Sequence, residues 1–207
     1  MNTHTSDDIQ QLISQINHAS TPQEAIAAIN AIATSSSTEE LATINAVTTA
    51  LSHHHQAVRT EAVAALVKLG NTIVKPLIAA YKASPDQRLQ AHIIQAVAQI
   101  GSPDALDLLV EVVGTTVANH CQGNVRRIAA RGLGKIATNS PDAEVIRHVQ
   151  EKLIWALLTP EDWGLRYAAA VALQEIATPE AQAALQQAIA QEVDLVVRSR
   201  MALATGH

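Results

Sequence analysis

Length, composition and charge narrow the class of protein before any motif is considered. The chain has 207 residues, of which 48% are apolar and 2% aromatic, and its formal net charge is -5. Without Phe, and with two Trp and two Tyr, a core must be built from Ala, Leu, Ile and Val, which favours close helix–helix packing. Because nucleic-acid binders usually carry a basic excess, we expect an all-α protein that does not bind nucleic acid.

The sequence also indicates a cellular setting. The single cysteine cannot form an internal disulfide, and no apolar run approaches the roughly 20 residues of a transmembrane helix. The polar start, MNTHTSDDIQQ, lacks the basic and then apolar layout of a secretory signal. These features predict a soluble protein in the reducing cytoplasm, with no membrane insertion.

The first 50 residues contain helical segments that fit the pattern of the rest of the chain poorly. These segments are SDDIQQLISQINHA and PQEAIAAINAIA, joined by a TSSS linker to TEELATINAVTTALS. We expect residues 1–50 to form an N-terminal cap and first repeat. Residues 51–207 are expected to form one continuous solenoid domain.

Further along the chain, one motif recurs. Each copy has an aliphatic residue followed by Arg or Gln, with small or aliphatic residues three, six and seven positions on and another aliphatic residue at ten. This spacing puts the apolar residues on one stripe of a helix, so each copy is predicted to be amphipathic. The copies are AVRTEAVAALVKLG (57–70), RLQAHIIQAVAQIG (88–101), NVRRIAARGLGKIA (124–137) and GLRYAAAVALQEIA (164–177), with a truncated fifth at Val197-Arg198.

Another helical segment precedes each of the later copies, so that the order helix, short turn, helix repeats. Each copy is therefore the second helix of its pair. Several of the paired segments begin with Pro and an acidic first turn, as helix N-termini do. The segments are NTIVKPLIAAYKAS, PDALDLLVEVVG, DAEVIRHVQEKLIWALL and PEAQAALQQAIAQ. Helix pairs of this kind resemble HEAT repeats and predict an all-α fold, an α-solenoid of about five helix-pair repeats.

Polar residues in the turns have a predicted structural use. An acid stands four residues before the Arg or Gln in three copies, at Asp86, Asp162 and Asp194. An Asp in this position caps the following helix, because its carboxylate accepts hydrogen bonds from unpaired N–H groups. The Arg is expected to reach toward an Asp of a neighbouring repeat.

The turn before the third copy departs from the others. GTTVANHCQGN is several residues longer than KASPDQR, and Gln122 takes the place of the capping acid. Its Asn and Gly residues favour turns, and Asn124 is predicted to cap a helix that begins at Val125. We therefore expect an extended, flexible turn.

His120 and Cys121 stand side by side at the head of this turn. On spacing alone a structural role prevails, since a lone Cys is more often a small buried apolar residue than a nucleophile. A metal site is favoured less still, because zinc takes three or four ligands. The other cluster, His53–His55, would be splayed apart by a helix and is expected to be solvated. We expect no metal, and the residues alone leave catalysis as the minority alternative.

A resemblance to a known family adds a reaction. NHCQGN beside VRRIAARGLGKI, with EDWGLRYAAAVALQEIA further on, resembles the F-type subunits of cyanobacterial phycobilin lyases. More narrowly, the match is to the lyase-isomerase that serves the phycoerythrocyanin α-subunit. The HEAT resemblance covers roughly residues 40–203, WGLRYAAAVAL points to the bilin-lyase branch, and NHCQGN points to its isomerising member.

The resemblance implies a heterodimer with an E-type subunit, which joins phycocyanobilin by a thioether to a cysteine of an apo-phycobiliprotein α-subunit. The isomerising pair also converts the attached pigment to phycoviolobilin; no cofactor is implied, and phycocyanobilin is the substrate. Isomerisation moves a double bond from the methine bridge into ring A, so one carbon gains a proton and another loses one. Histidine and a neighbouring thiol can transfer these protons at neutral pH. His120 and Cys121 are therefore the expected catalytic residues.

Other residues are expected to contact the bilin. Trp163 and Tyr167 are suited to stacking on the tetrapyrrole, or equally to filling the seam between repeats. Arg127 and Arg131, four residues apart on one helix face, are candidates for pairing with a propionate, although a plain solvated face is the commoner use of such residues. Arg126, at the repeat-consensus position, is expected to be structural. The remaining candidates flank the His-Cys pair and are Asn119 and Gln122.

Two alternative functions stay open. One is a lyase without isomerase activity, specific for the phycocyanin α-subunit. The other is a HEAT scaffold without chemistry, acting in phycobilisome assembly or degradation. In each case the incomplete repeat that ends in MALATGH is expected to leave an unsealed edge for a partner to cover.

Overall fold

A computed structural model describes residues 6–34, 41–116, 120–158 and 162–206, with the backbone alone for residues 6–9, 41, 120 and 121. Within these ranges all regular structure is helical, which confirms the predicted all-α class. Short 3-10 turns at Gly70–Ile73 and Pro103–Ala105 lead into α5 and α7. The α-helices are α1 (Ser6–His18), α2 (Pro22–Thr34), α3 (Leu41–Ala50), α4 (Gln56–Leu69), α5 (Val74–Ala83), α6 (Gln87–Ile100), α7 (Leu106–Gly114), α8 (His120–Asn139), α9 (Ala143–Leu158), α10 (Trp163–Ile176), α11 (Pro179–Gln191) and α12 (Leu195–Thr205).

The chain divides into two compact units, Met1–Ile100 and Gly101–His207. In the first unit, α2 packs against α4, and α4 packs against α6. In the second, α8 contacts α7, α9 and α10, and α10 also contacts α12. The expected cap of residues 1–50 falls inside the first unit, and its separation from the repeats stays a prediction. Most of the expected TSSS linker lies outside the described residues.

The helix pairs follow the sequence pattern. The four repeat copies lie in α4, α6, α8 and α10, the truncated copy lies in α12, and α5, α7, α9 and α11 are the helices paired with them. The predicted apolar stripe is buried: in α10, for example, Leu165, Ala169 and Leu173 are fully inaccessible to solvent. Burial of this stripe, worth about 25 cal/mol per Å² of apolar surface, holds the pairs together.

The segment Gln56–Ala83 has the length and apolar composition of a membrane span. It is not one straight helix, because Gly70 has a φ of 74° and starts the 3-10 turn between α4 and α5. Glycine reaches a positive φ without the steric cost that a Cβ would impose. Since Leu66 and Leu77 on either side of this turn are fully buried, the segment forms two core helices of the first unit.

Small residues let α8 and α10 approach closely. A Cβ added to Gly134 in α8 would lie 2.7 Å from the Cβ of Ala172 in α10. No real Cβ accepts such a contact, so a larger residue at 134 would force the helices apart. The Ala-rich composition noted in the sequence is thus used for close packing.

The consensus Arg or Gln has a structural role that differs from the predicted one. In three copies it donates to backbone carbonyls at or just beyond the C-terminus of the preceding helix, where carbonyls lack the next turn of helix as a partner. In α10, by contrast, it binds an acid of the next repeat, and that acid is a Glu. The bonds run from Arg59 to the carbonyls of His53 and His54, from Gln90 to those of Tyr81 and Ser84, from Arg126 to that of Val113, and from Arg166 to the carboxylate of Glu192.

The predicted acidic caps are confirmed. The carboxylate of Asp162 accepts from the amides of Gly164 and Leu165 at the start of α10. Asp194 does the same at the start of α12, and Asp86 accepts from the amide of Arg88 at 2.8 Å in the first turn of α6. These bonds fix where three of the second helices begin.

Candidate functional site

The His-Cys motif belongs to a helix rather than to a turn. α8 begins at His120, so His120, Cys121 and Gln122 form its first turn, and their expected placement in a flexible turn is wrong. The predicted cap at Asn124 and helix start at Val125 are also wrong, because both residues lie inside α8. The extra residues between α7 and Val125 mainly extend α8 at its N-terminus. Asn119 lies outside the described residues, and the side chains of His120 and Cys121 are not described.

Arg126 ties this helix to the one before it. Its Nε donates to the carbonyl oxygen of Val113 at 3.0 Å, and the residue is only 7% exposed. Burial lowers the pKa of Arg126, which the charge of Asp162 partly offsets. The guanidinium therefore fixes the body of α8 against the end of α7, in keeping with the expected structural role.

Arg127 connects the start of α10 to α8. Its Nη2 lies 2.8 Å from the Asp162 carboxylate, and its guanidinium carbon lies 5.4 Å from the centre of a Trp163 ring, within cation–π range. Gly164 makes room for this arrangement, since a Cβ there would overlap the same carbon. The structure thus brings together Arg127 and Trp163, two of the predicted site residues, and links them through an acid.

Asp162 is held in its ionised form. Burial alone would raise the pKa of this carboxyl group, but the hydrogen bond and charge of Arg127 act in the opposite direction. Together with the amides of Leu165 and Gly164, they hold the pKa of Asp162 below its usual value. The acid therefore serves at once as the cap of α10 and as the counter-ion of Arg127.

Arg131 lies one turn further along α8 and is also paired. Its Nη2 lies 2.8 Å from the Oε1 of Glu175 in α10. Both side chains are more than two-fifths exposed, so water competes with this ion pair far more than with that of Arg127.

Trp163 and Tyr167 lie four residues apart on α10 and are partly open to solvent. Trp163 is 50% exposed and Tyr167 is 37% exposed, so neither is enclosed in a seam between repeats. We call Arg127, Arg131, Trp163 and Tyr167 the α8–α10 surface. It offers aromatic faces and guanidinium groups side by side, which is suitable for a flat, conjugated and anionic molecule.

Lys152 was not anticipated from the sequence. A Cβ on Gly114, the last residue of α7, would lie 2.8 Å from its Nζ, and the same Nζ lies 4.3 Å from the Trp155 ring. Burial, and then the charge of Arg126, lowers the pKa of Lys152. Two cations thus meet the negative end of the α7 dipole just before the connection to α8. Its position directly before the apolar run LIWALL was the only available signal.

The described side chains offer no metal site: they include no group of three or more His, Cys, Asp or Glu suited to hold an ion. His53 and His54 stack with ring centres 4.2 Å apart, which is a stacked pair rather than a chelating arrangement. His54 and His55 are exposed, as expected for a solvated cluster, whereas His53 is half-buried.

The fold and its repeated helix pairs define an α-helical repeat protein, and the model of the HEAT repeats family matches residues 74–143 and 115–205. The chain is 73% identical over 152 residues to the bilin biosynthesis protein PecF of Nostoc sp. strain PCC 7120, covering 73% of this chain and 88% of that protein. It is 60% identical to the PecF protein of Mastigocladus laminosus, covering 93% and 91% of the two chains. The chain therefore belongs to the PecF family of bilin biosynthesis proteins.

A solved structure agrees with this family. The complex of CpcE and CpcF of phycocyanin lyase from Nostoc sp. PCC7120 contains a chain that matches with a TM-score of 0.70 and 26% sequence identity. The match covers 80% of this chain and 99% of that one. The helical repeat architecture is thus shared with a lyase subunit, which confirms the predicted α-solenoid class.

Proposed function

We propose that this chain is the F-type subunit of a heterodimeric phycobilin lyase-isomerase. With an E-type partner it attaches phycocyanobilin by a thioether to a cysteine of the phycoerythrocyanin α-subunit and converts the pigment to phycoviolobilin. The observation that carries this proposal is the high identity to two PecF proteins over most of both chains. The reaction would take place in the cytoplasm.

The heterodimer is supported by the related solved structure, which is itself a complex of an E and an F protein. In the attachment step, the sulfur of the acceptor cysteine bonds to the ring-A ethylidene carbon and the thiol proton is transferred to the pigment. Isomerisation then adds a proton at one carbon and removes one at another, so it needs no oxidant or reductant.

His120 and Cys121 are assigned the proton transfers of the isomerisation. Histidine can donate and accept a proton near neutral pH, and the thiol supplies a second transferable proton or adds reversibly to the conjugated system. Their backbone lies in the first turn of α8, which Arg126 fixes to the end of α7. A rigid helix terminus positions catalytic groups better than a flexible turn does.

The α8–α10 surface is assigned to bilin binding, with Trp163 and Tyr167 stacking on the tetrapyrrole. Of the two arginines, Arg131 is the better partner for a propionate, because its present acid, Glu175, is exposed and easily displaced. Arg127 would have to leave Asp162, which also caps α10. Gln122, half-buried in the first turn of α8, and Asn119 stay candidate contacts.

Reconstitution tests the proposal. Co-expression of this chain with an E-type partner, the apo-α-subunit and phycocyanobilin should give a covalent adduct with the absorption spectrum of phycoviolobilin. His120→Ala and Cys121→Ser should lower the rate of phycoviolobilin formation at least about a hundredfold, the lower end of the range for loss of a general acid or base. The matched control is His148→Ala, which removes an exposed histidine of α9 in the same unit.

Two outcomes would contradict parts of this assignment. An undiminished rate of violobilin formation in either variant would remove the acid–base role of that residue. An adduct that retains the phycocyanobilin spectrum in the wild type would identify a lyase without isomerase activity, and no covalent pigment at all would favour a scaffold.

A further inference from the structure

The last described helix has apolar residues on two faces. On its inner face, Val197 and Met201 are fully buried against α10 and α11. On its outer face, Leu195 is 67% exposed, Val196 is 61% exposed and Leu203 is 64% exposed. Single exposed leucines are ordinary on a protein surface, but several on one face of one helix call for an explanation.

Helical geometry places these residues on one strip. At about 100° per residue, Leu195, Val196 and Leu203 lie within a sector of about 100°, and the exposed Ser199 falls between them. We call this strip the outer face of α12. It is opposite the buried side, so it takes no part in packing α12 onto its own unit.

The repeat register shows which contacts this face corresponds to. When α8, α10 and α12 are aligned on their consensus aliphatic residues, Arg131, Val171 and Leu203 occupy the same position. In α8 this position is directed at the next second helix, because Arg131 binds Glu175 of α10. Three residues further along α8, Gly134 contacts Ala172 of α10.

The contact between α10 and α12 follows the same register as the contact between α8 and α10. Gln174 in α10 is equivalent to Gly134 in α8, and it accepts a hydrogen bond from Arg200 of α12. In α8 and α10, the part of this strip around the position of Leu203 therefore faces the following second helix. α12 presents it to solvent, in apolar form.

We propose that the outer face of α12 is the docking surface for a helix pair of the E-type partner subunit, which extends the stack of second helices by one repeat. This inference rests on the proposed heterodimeric function. The strip on the partner must be small and aliphatic, as the facing surface of α10 is around Ala172.

A second copy of this chain fits the surface less well. Successive repeats stack head to tail, with the strip of one helix against a different face of the next. Between identical chains a head-to-tail contact continues into a ring or an open filament, whereas a different HEAT-repeat chain gives a closed one-to-one complex. The related solved structure is a complex of two different proteins.

The test is a binding measurement between purified full-length wild-type or variant chain and purified E-type subunit, by titration calorimetry and size-exclusion chromatography. Leu203→Glu should weaken binding at least about tenfold, as loss of a central apolar contact does. Leu195→Glu/Leu203→Glu should weaken it further. The matched control is Leu158→Glu, which alters a leucine of α9 that is 40% exposed and should leave affinity within about twofold.

Circular dichroism and thermal unfolding of each variant establish that α12 is still folded, which is expected because the altered side chains point away from the core. Equal binding by Leu203→Glu and wild type would overturn the inference, as would a wild-type chain that does not bind the E-type subunit. Self-association that is lost in Leu203→Glu while E-type binding is unchanged would assign the face to a second copy. A wild type that binds the partner but forms no pigment adduct would refute the proposed function and leave the docking surface intact.

Discussion

α8 and α10 occupy the same place in successive repeats, yet they begin differently. α10 has 14 residues and starts directly after the capping Asp162, whereas α8 has 20 residues and starts at His120. The extra length of α8 carries the His-Cys motif. The comparison teaches that the apolar stripe fixes the body of a second helix, while the length and sequence of its N-terminus can differ from repeat to repeat.

The consensus arginines of the two helices should differ in their effect on stability, and Arg166 should have the largest. Arg166→Ala leaves Glu192, which is 3% exposed as a side chain, without its bidentate partner. We expect a loss of about 3 kcal/mol in the free energy of unfolding, measured by denaturant titration. In the control Arg131→Ala the deleted ion pair is exposed, and the loss should stay below about 1 kcal/mol.

Arg126→Ala should cost less, about 2 kcal/mol, because it leaves a single backbone carbonyl unpaired rather than a buried carboxylate. The same denaturant titration measures this value. A loss equal to or larger than that of Arg166→Ala would mean that the carbonyl contact between α7 and α8 is as important as the ion pair, contrary to the comparison.

Asp162→Ala should come third, at about 1.5 kcal/mol, since it removes the cap of α10 and the counter-ion of Arg127 together. Asp162→Asn is the control, because the amide oxygen still caps the helix although the charge is gone. If the Asn variant is as unstable as the Ala variant, the ion pair rather than the cap determines where α10 begins.

Acid should destabilise the second unit by a smaller amount. The hydrogen bond from Arg166 lowers the pKa of Glu192, against the opposing effect of burial, and the pKa of Asp162 is also lowered. A lowered folded-state pKa gives stability that is complete above the ordinary carboxyl range and is lost as the pH falls through the lowered values. A protonated carboxyl group still forms hydrogen bonds, so the loss of stability below about pH 4 should be smaller than the loss caused by the deletions. Thermal unfolding of wild type measures it. The stability of Asp162→Asn should depend less on pH.

Gln122→Glu should have the smallest effect and the opposite sign. It adds an acid to the first turn of α8, where the helix dipole favours negative charge, and should stabilise the chain by about 0.3–1 kcal/mol at low salt. The gain should shrink as salt is added, as seen in melting curves at increasing ionic strength. Absence of any gain would indicate that the start of α8 is not an ordinary helix terminus.

The body of the fold could be predicted from the sequence, because Val, Leu and Ala residues spaced at the helical period of about 3.6 residues form a single apolar face, and that face must be buried. The caps Asp86, Asp162 and Asp194 could also be predicted, because a cap depends only on residues next to it in the chain. The start of α8 could not. Asn and Gly residues favour turns only weakly, and Gly123, which is buried, follows the helix imposed by its surroundings.

The candidate site was predictable only in part. Spacing placed Arg127 and Arg131 on one face. It could not show that Arg127 pairs with the cap of α10 and Arg131 with an acid inside α10, because the register between two helices depends on packing between distant parts of the chain. The hydrogen bond from Arg126 to a backbone carbonyl could not be predicted either, since every residue has a backbone carbonyl and the sequence does not show which one will accept the bond. The roles of His120 and Cys121 stay predictions drawn from family resemblance.

The half-exposed indole of Trp163 above Arg127 has an optical consequence. The chain has only two tryptophans, so replacing Trp155 with Phe leaves a single indole, which can be excited selectively over the tyrosines and is located on the surface assigned to the pigment. A bilin that stacks on this indole would accept its excitation energy. The loss of ultraviolet emission would then report the arrival of the pigment in real time, before any covalent bond is formed.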